Sequence, residues 1–449
     1  MKKHVLFVCL LCSAFSLLAQ HNDVKKPSKE KSEEVKKGLN LGGIPIVAYD
    51  EDTGLKYGGL LNLYHYGDGS HYPNYEHSLL LQWFKSTKGS GTTLLNYDAL
   101  TLIPKTRVTF TLAYITEQAL NFYGFNGYNA YYNSNYELMD SPDYISRVYY
   151  KHSRKLFVTN LDVQGRIKNK ELRWFFGLSH YRTKIATVDI AAINEGLEAD
   201  RVLPETDLLY DKYVKWGVIP ENEKLGGVDT AVKLGVVYDT RDNEANPNKG
   251  LWSEVLVQIT PDLLGNESSY SRLLLTHRHY CILVPKRLNL AYRLSFQTKI
   301  SGHIPFYMLP YLTDSKATNN GLGGSKNLRG ILRNRIVGDG IAFGNVELRS
   351  KLYKTVIFKQ NFYLGISLFS DFGMVTSPYK FNKPDLSAES ITQTDLDNLN
   401  YNSEYLHITY GAGLHFVVNN NFVVSADYGV ANNQLDGNKG LYIGVNYLF

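Results

Sequence analysis

The chain has 449 residues, enough for two or three soluble domains on length alone, and its 44% hydrophobic and 20% charged residues exclude a disordered chain. Its 34 Tyr, 20 Phe and 37 Gly suit strands and tight turns better than helices. Lys and Arg number 48 against 43 Asp and Glu, a surplus of five and too weak for a nucleic-acid partner to be expected.

Residues 1–19 have the pattern of a secretory signal peptide. Lys2 and Lys3 precede an apolar run from Val5 to Leu18, and Ala19 is a small residue suited to cleavage. The run is short for a membrane anchor. Cys9 and Cys12 lack the small residues that precede a lipoprotein cysteine, so export and cleavage are expected. Cys281 then remains as the mature chain's single cysteine, which excludes a disulfide framework and a cysteine-based zinc site. Residues 20–38, QHNDVKKPSKEKSEEVKKG, are polar and without apolar periodicity, and are expected to form a charged periplasmic tether.

Beyond the tether no segment approaches the ~18 uninterrupted apolar residues of a membrane helix. Alternation with period two recurs instead. Phe157, Thr159, Leu161 and Val163 share one face, against Asn160, Asp162, Gln164 and Arg166. Phe422, Val424, Ala426, Tyr428 and Val430 oppose Asn421, Ser425, Asp427 and Gly429. In the last strand Leu441, Ile443, Val445, Tyr447 and Phe449 continue one apolar face to the end of the chain. A soluble sandwich also alternates, but the export signal and the terminal aromatic favour an outer-membrane barrel. In lipid every backbone group must be paired, and a closed barrel pairs them without edges.

Strands are expected near 41–49, 55–66, 75–86, 91–103, 106–116, 145–167, 172–183, 229–238, 251–262, 267–280, 288–302, 341–352, 360–372, 405–417, 420–430 and 438–449. Sixteen is an even number, which puts both ends of the barrel on the periplasmic side. The long connections 117–144, 184–228, 303–340 and 373–404 then all fall outside the cell, and 104–105, 168–171, 239–250 and 418–419 are periplasmic turns. The fold expected for 39–449 is an all-β transmembrane antiparallel barrel.

Two motifs carry further information. Residues 238–250 read YDTRDNEANPNKG, and residues 321–335 read GLGGSKNLRGILRNR, followed by the strand IAFGNVELR and by LFSDFG at 368–373. Together with GGIPIVAYDEDTGLKYGG at 42–59, these resemble the bacterial surface antigen family, the barrel of BamA- and TamA-type outer-membrane assembly factors. The resemblance covers residues 40–449. It implies that the 303–340 loop folds into the lumen with a tip tetrapeptide, here Leu328-Arg329-Gly330-Ile331, and that Phe369 and Asp371 form a strand motif facing it. The family's aromatic after the glycine is replaced by Ile331.

Strand parity points the same way. Asp371 lies opposite the apolar face of 361–372, and Glu347 shares the inward face of 341–350 with Asn345 and Arg349. Two acids then enter the lumen from neighbouring strands, where Arg329 offers a planar and permanently charged partner. The alternative reading has Arg329 solvated and the acids lining a wet pore. Asp239, Arg241, Asp242, Pro247 and Gly250 are expected to build a structural periplasmic turn.

Other chemistry is weak. His277 and His279 share a strand face without a third metal ligand, Cys281 is expected as a buried strand residue, and no GxSxG elbow or phosphate-binding glycine loop occurs. No enzyme activity, metal or cofactor is expected. The family's periplasmic POTRA domains need some 60 residues each, and the tether is shorter than one. A barrel-only member is therefore expected, one that assists protein or lipid insertion through a weak seam between first and last strands. Its partners would be outer-membrane lipid and assembly proteins acting in trans. A passive pore or solute transporter, and a structural subunit of an outer-membrane complex, are the alternatives.

Overall fold

Alternating side chains give each strand a lipid face and a lumenal face, and sixteen strands pair in chain order to exploit both. The computed structural model describes residues 35–449 except 51–53, 169–170, 316–317, 320, 358–359, 382–390 and 421. The expected signal peptide and all of the tether before residue 35 lie outside the described residues. The sheet runs β1 (Leu39–Asp50), β2 (Gly54–His65), β3 (His77–Ser86), β4 (Gly91–Ile103), β5 (Thr106–Asn121), β6 (Lys151–Arg166), β7 (Leu172–Ala186) and β8 (Gly226–Asp239). It continues with β9 (Gly250–Thr260), β10 (Tyr270–Val284) and β11 (Leu288–Gly302). A separate two-stranded ribbon, β12 (Leu312–Thr313) and β13 (Thr318–Asn319), sits in the next loop. The barrel wall resumes with β14 (Gly340–Ile357), β15 (Gln360–Ser377), β16 (His407–Val418), β17 (Phe422–Ala431) and β18 (Lys439–Val445). Each wall strand pairs antiparallel with its sequence neighbour, with β11 joining β14.

β10 shows how the pattern is used. Tyr270, Arg272, Leu274, Thr276, Arg278 and Tyr280 are buried toward the lumen, while the residues between them are half-buried on the lipid side. Lumenal polar groups pair with one another, as buried polar groups must. Lys233 reaches Asp162 at 2.8 Å, and Arg107 meets Asp98 at 2.5 Å and Glu244 at 2.8 Å.

The external loops pack into an aromatic dome over the lumen. Phe122, Tyr123, Phe125, Tyr149, Tyr213, Trp216, Phe306 and Tyr379 belong to one buried cluster. β6 therefore starts at Lys151 rather than near 145, since Tyr149 and Tyr150 are drawn into this dome. Beneath it His407 bonds Asp436 at 2.6 Å, and Arg335 donates to the carbonyls of Gly127, Ala130 and Leu435, tying loop to loop.

The sheet order ends at β1 and β18, and no ladder joins those two among the described residues. Their edges meet through side chains and turns. A Cβ on Gly42 of β1 would lie 2.9 Å from the Phe422 ring of β17. Below, the Tyr72 hydroxyl donates to the Asn419 carbonyl at 3.3 Å and accepts from Asn361 Nδ2 at 3.2 Å. The connection between β2 and β3 thus straps the C-terminal strands.

Candidate functional site: the lumenal clamp and the seam

The loop between β11 and β14 descends into the lumen because its tip is both apolar and charged. Leu328 and Ile331 are buried with Leu312, Leu322, Ile336, Ile341, Phe343 and Val375, so the flanking residues anchor the tip by apolar burial. Ile331 takes this role in place of an aromatic. Asn327 braces the tip, accepting from Gly323 N at 2.6 Å and donating to the Gly321 carbonyl at 3.1 Å.

Between those anchors Arg329 enters a cage of acids. Its Nε and Nη2 each lie 2.9 Å from one oxygen of Asp371, a bidentate fork, and its own backbone N donates to Asp371 Oδ2 at 3.0 Å. Nη1 lies 2.8 Å from Glu347 Oε1 and 3.2 Å from Asp427 Oδ2. The guanidinium carbon sits 3.4 Å from the centre of the Phe369 ring, a cation–π stack. Arg329, Glu347 and Asp371 are each 0% exposed. The charge count is kept near balance by Arg349, which meets Glu347 at 2.7 Å. Taking one partner away leaves a buried charge short of its counterpart, which is what makes such a cluster demanding.

Gly330 lets the tip lie flat on the wall. Its φ is +102°, and a Cβ there would meet Val430 N at 2.8 Å and Gly429 C at 2.9 Å. On the other side a Cβ on Gly429 would meet the Arg329 carbonyl oxygen at 2.5 Å. Two glycines therefore create one backbone-to-backbone contact between loop and β17. Gly330 N also donates to the Tyr442 hydroxyl of β18 at 2.9 Å.

The structure thus brings Arg329, Asp371, Glu347 and Phe369 together, and adds three groups that sequence reasoning did not assign to the cluster: Asp427, Tyr442 and Gly429. Asp427 was legible as an inward residue of its strand, but no motif marked it as a partner. The C-terminus departs from expectation. β18 stops at Val445 instead of running to 449. Asn446 takes φ +69° and donates from its N to Val423 O at 2.8 Å, which turns the chain out of the ladder. Tyr447 then stacks on His415 with ring centres 4.4 Å apart, and Phe449 lies buried near the guanidinium carbons of Arg293 and Arg349, at 5.2 and 5.0 Å. Tyr447 and Phe449 accordingly leave the lipid face, because lumenal arginines offer their rings cation–π partners and Arg349 donates to the Phe449 carbonyl at 3.2 Å.

The turn at 239–250, expected on the periplasmic side, folds across one mouth of the barrel. Arg241 Nε meets Asp239 Oδ1 at 2.9 Å, and its guanidinium carbon sits 4.4 Å from the Trp252 ring centre. Asp242 accepts from the backbone N of Asn248 and Lys249 at 2.9 and 3.2 Å, and Pro247 is buried. Gly250 has φ +100° and no room for a side chain beside the Thr240 carbonyl. Glu244 of the same turn holds Arg107 on β5, so this segment is part of the lumenal polar network.

His277 and His279 stand on the lipid face, where His277 Nδ1 bonds Ser253 Oγ at 2.7 Å and His279 Nδ1 bonds the Tyr292 hydroxyl at 3.1 Å. Cys281 is half-buried beside them rather than buried, its Sγ 3.5 Å from His279 Nε2. Among the described residues no group of three or more His, Cys, Asp or Glu could hold a metal ion.

Residues 105–449 match the Omp85 superfamily domain, more than three quarters of the chain. No curated protein sequence matches. Among solved structures, CdiB from Escherichia coli shares 11% identity at a TM-score of 0.50, covering 91% of this chain and 61% of that one. BamA from Haemophilus ducreyi lacking POTRA domains 1–3 shares 14% at 0.48, covering 92% and 69%. CdiB from Acinetobacter baumannii shares 12% at 0.46, covering 92% and 60%. The chain therefore spans about three fifths of the length of either CdiB protein. The match over β5–β18, on a sixteen-stranded antiparallel wall, places this chain in the Omp85 superfamily of bacterial outer-membrane barrels.

Proposed function

We propose that this barrel assists the insertion or translocation of protein or lipid at the outer membrane, and that its working part is the seam between β18 and β1. The observation that carries this reading is the contrast at the sheet ends. β18 is 7 residues long against 12 for β1, and the four residues after it leave the wall for the lumen. Without a backbone ladder, parting the two edges costs few hydrogen bonds, whereas parting any other pair of strands breaks a continuous register. A seam of this kind can separate sideways toward lipid. The export signal and charged tether fit the same reading, since they would deliver the chain to the periplasm and offer partners a docking segment.

A passive pore is the weaker reading. Three cavities between the loops and the wall hold about 10 to 30 Å3 each, space for about one or two water molecules.

The test is a lock across the seam. Gly42→Cys with Phe422→Cys, in a Cys281→Ser background, sets thiols where Gly42 and the Phe422 ring now touch. Oxidation should abolish the chain's ability to restore the outer-membrane defect of cells lacking it, and reduction should return it. A locked barrel that still complements would exclude an opening in which β17 and β18 part from β1 together.

A further inference from the structure

Across the lipid-facing wall the strand register sets cations in a line. Lys85 of β3 stands opposite Gly91 of β4, Gly91 opposite Thr116 of β5, Thr116 opposite Lys155 of β6, and Lys155 opposite Lys184 of β7. The next line toward the membrane interior reads Trp83, Thr93, Tyr114, Phe157 and Arg182. Lys85, Lys155, Arg182 and Lys184 are all exposed, and all lie near the ends of their strands that lead into external connections.

Lys155 and Lys184 are directly opposed like charges, an arrangement that destabilises a sheet unless an anion joins them. No carboxylate pairs with any of the four cations among the described residues; Arg154, the neighbour of Lys155, spends its charge on Glu117 inside the lumen. Directly beneath the line of cations the wall is recessed. This hollow of about 670 Å3 is lined by Leu61, Leu81, Trp83, Leu112, Tyr114 and Phe157. An unneutralised cationic rim above an apolar hollow matches an amphiphile with an anionic head and several acyl chains.

We propose that this face of β3–β7 binds a phosphorylated glycolipid of the outer leaflet. Lys155, Lys184 and Arg182 hold its phosphate, Arg182 through its planar fork, and Lys85 flanks the head. The acyl chains lie in the hollow. The inference rests on the chain residing in an outer membrane and is independent of whether the seam opens.

The experiment uses the full chain purified in mild detergent, with bis-phosphorylated lipid A as probe and bound lipid counted by native mass spectrometry. Lys155→Gln/Arg182→Gln/Lys184→Gln should weaken binding by roughly tenfold or more, since each surface cation contributes at the level of about fivefold. Lipid A stripped of its phosphates should lose as much against the unaltered chain, and rising salt should erode the difference. Thr93→Trp, which fills the hollow and keeps every charge, should also weaken binding. Equal binding by the triple variant would overturn the proposal. Displacement of lipid A by millimolar inorganic phosphate would overturn it as well, by reducing the site to one for free anions. Heat-modifiable gel mobility checks that the variants fold, and recovery of both chains in outer-membrane fractions separates a failed site from a failed membrane assignment.

Discussion

The wall from β14 to β17 and the wall from β18 to β1 lie side by side yet are held by different means. β14 and β15 are 18 residues each and pair almost end to end, and the loop tip is fastened across β14, β15 and β17 by Arg329. One strand further, β18 keeps seven residues in register; β1 meets β17 at the Phe422 ring, and the β2–β3 connection meets the β16–β17 turn through Tyr72 and Asn419. The most extensively tied part of the wall thus lies beside the edge where, among the described residues, no ladder is found. A hinge needs such a neighbour: an edge can swing reproducibly only if the wall it swings from stays put. Side chains of the Arg329 cluster are part of that hold, so the contrast can be broken by single substitutions.

The largest effect is expected from Arg329→Ala. It leaves the buried Asp371 without its guanidinium fork, while Glu347 keeps Arg349, and should cost on the order of 3–5 kcal/mol, read as a fall in the urea midpoint of the folded band on a gel. Asp371→Ala should cost a similar amount. The double variant should cost much less than the sum, as the two groups are directly bonded. Additive losses would show that the fork does not couple them. Arg329→Lys should recover only part of the loss, because an ammonium cannot make the fork to Asp371 and reach Glu347 together.

This cluster was half legible in the sequence. Alternation alone turns Asp371 and Glu347 inward, and the LRGI motif names Arg329. Nothing along the chain says that Asp427, 98 residues beyond Arg329, completes the cage, since that depends on which strand the loop tip lands on. The sixteen strands follow from period-two patterning, with boundaries shifted where loops compete for residues such as Tyr149. The C-terminus was misread for a physical reason. Its alternation is intact through Phe449, but local pattern does not register the pull of Arg293 and Arg349 from distant strands. The cation line on β3–β7 was equally hidden, because each lysine is unremarkable until register sets them in one line.

The next effect down is Gly330→Ala. The methyl group would meet the backbone of Gly429 and Val430 below 3 Å at a backbone angle that side chains rarely adopt. The tip must then lift from β17, at a cost of about 1–3 kcal/mol. Arg329 would be dragged off its acids with it, so this variant should lose its Arg329–Asp371 coupling in a double-mutant cycle. An unchanged coupling energy would mean that the ion cage, not the glycine contact, seats the tip.

The smallest effect sharpens the contrast most. Tyr442→Phe removes one hydroxyl, the acceptor for Gly330 N, and touches none of the acids around Arg329. Stability should fall by about 0.5–1.5 kcal/mol, the usual net worth of one hydrogen bond. That bond links the stiff region to the loose one, tying the loop tip to β18. Its loss should leave the clamp standing while loosening the loop tip from the edge formed by β17 and β18. The two consequences separate in one experiment with the paired cysteines at 42 and 422. If β18 and β17 move together when the seam opens, Tyr442→Phe should slow disulfide formation there, because the edges spend less time apposed. If β18 detaches alone and β17 stays on the clamp, the disulfide should form at the unaltered rate while a thiol introduced by Leu441→Cys becomes more reactive to a membrane-impermeant reagent. The first outcome follows from the structure, in which β18 keeps seven residues in register with β17 and carries that strand with it, while the Gly330 amide ties β18 to the loop tip.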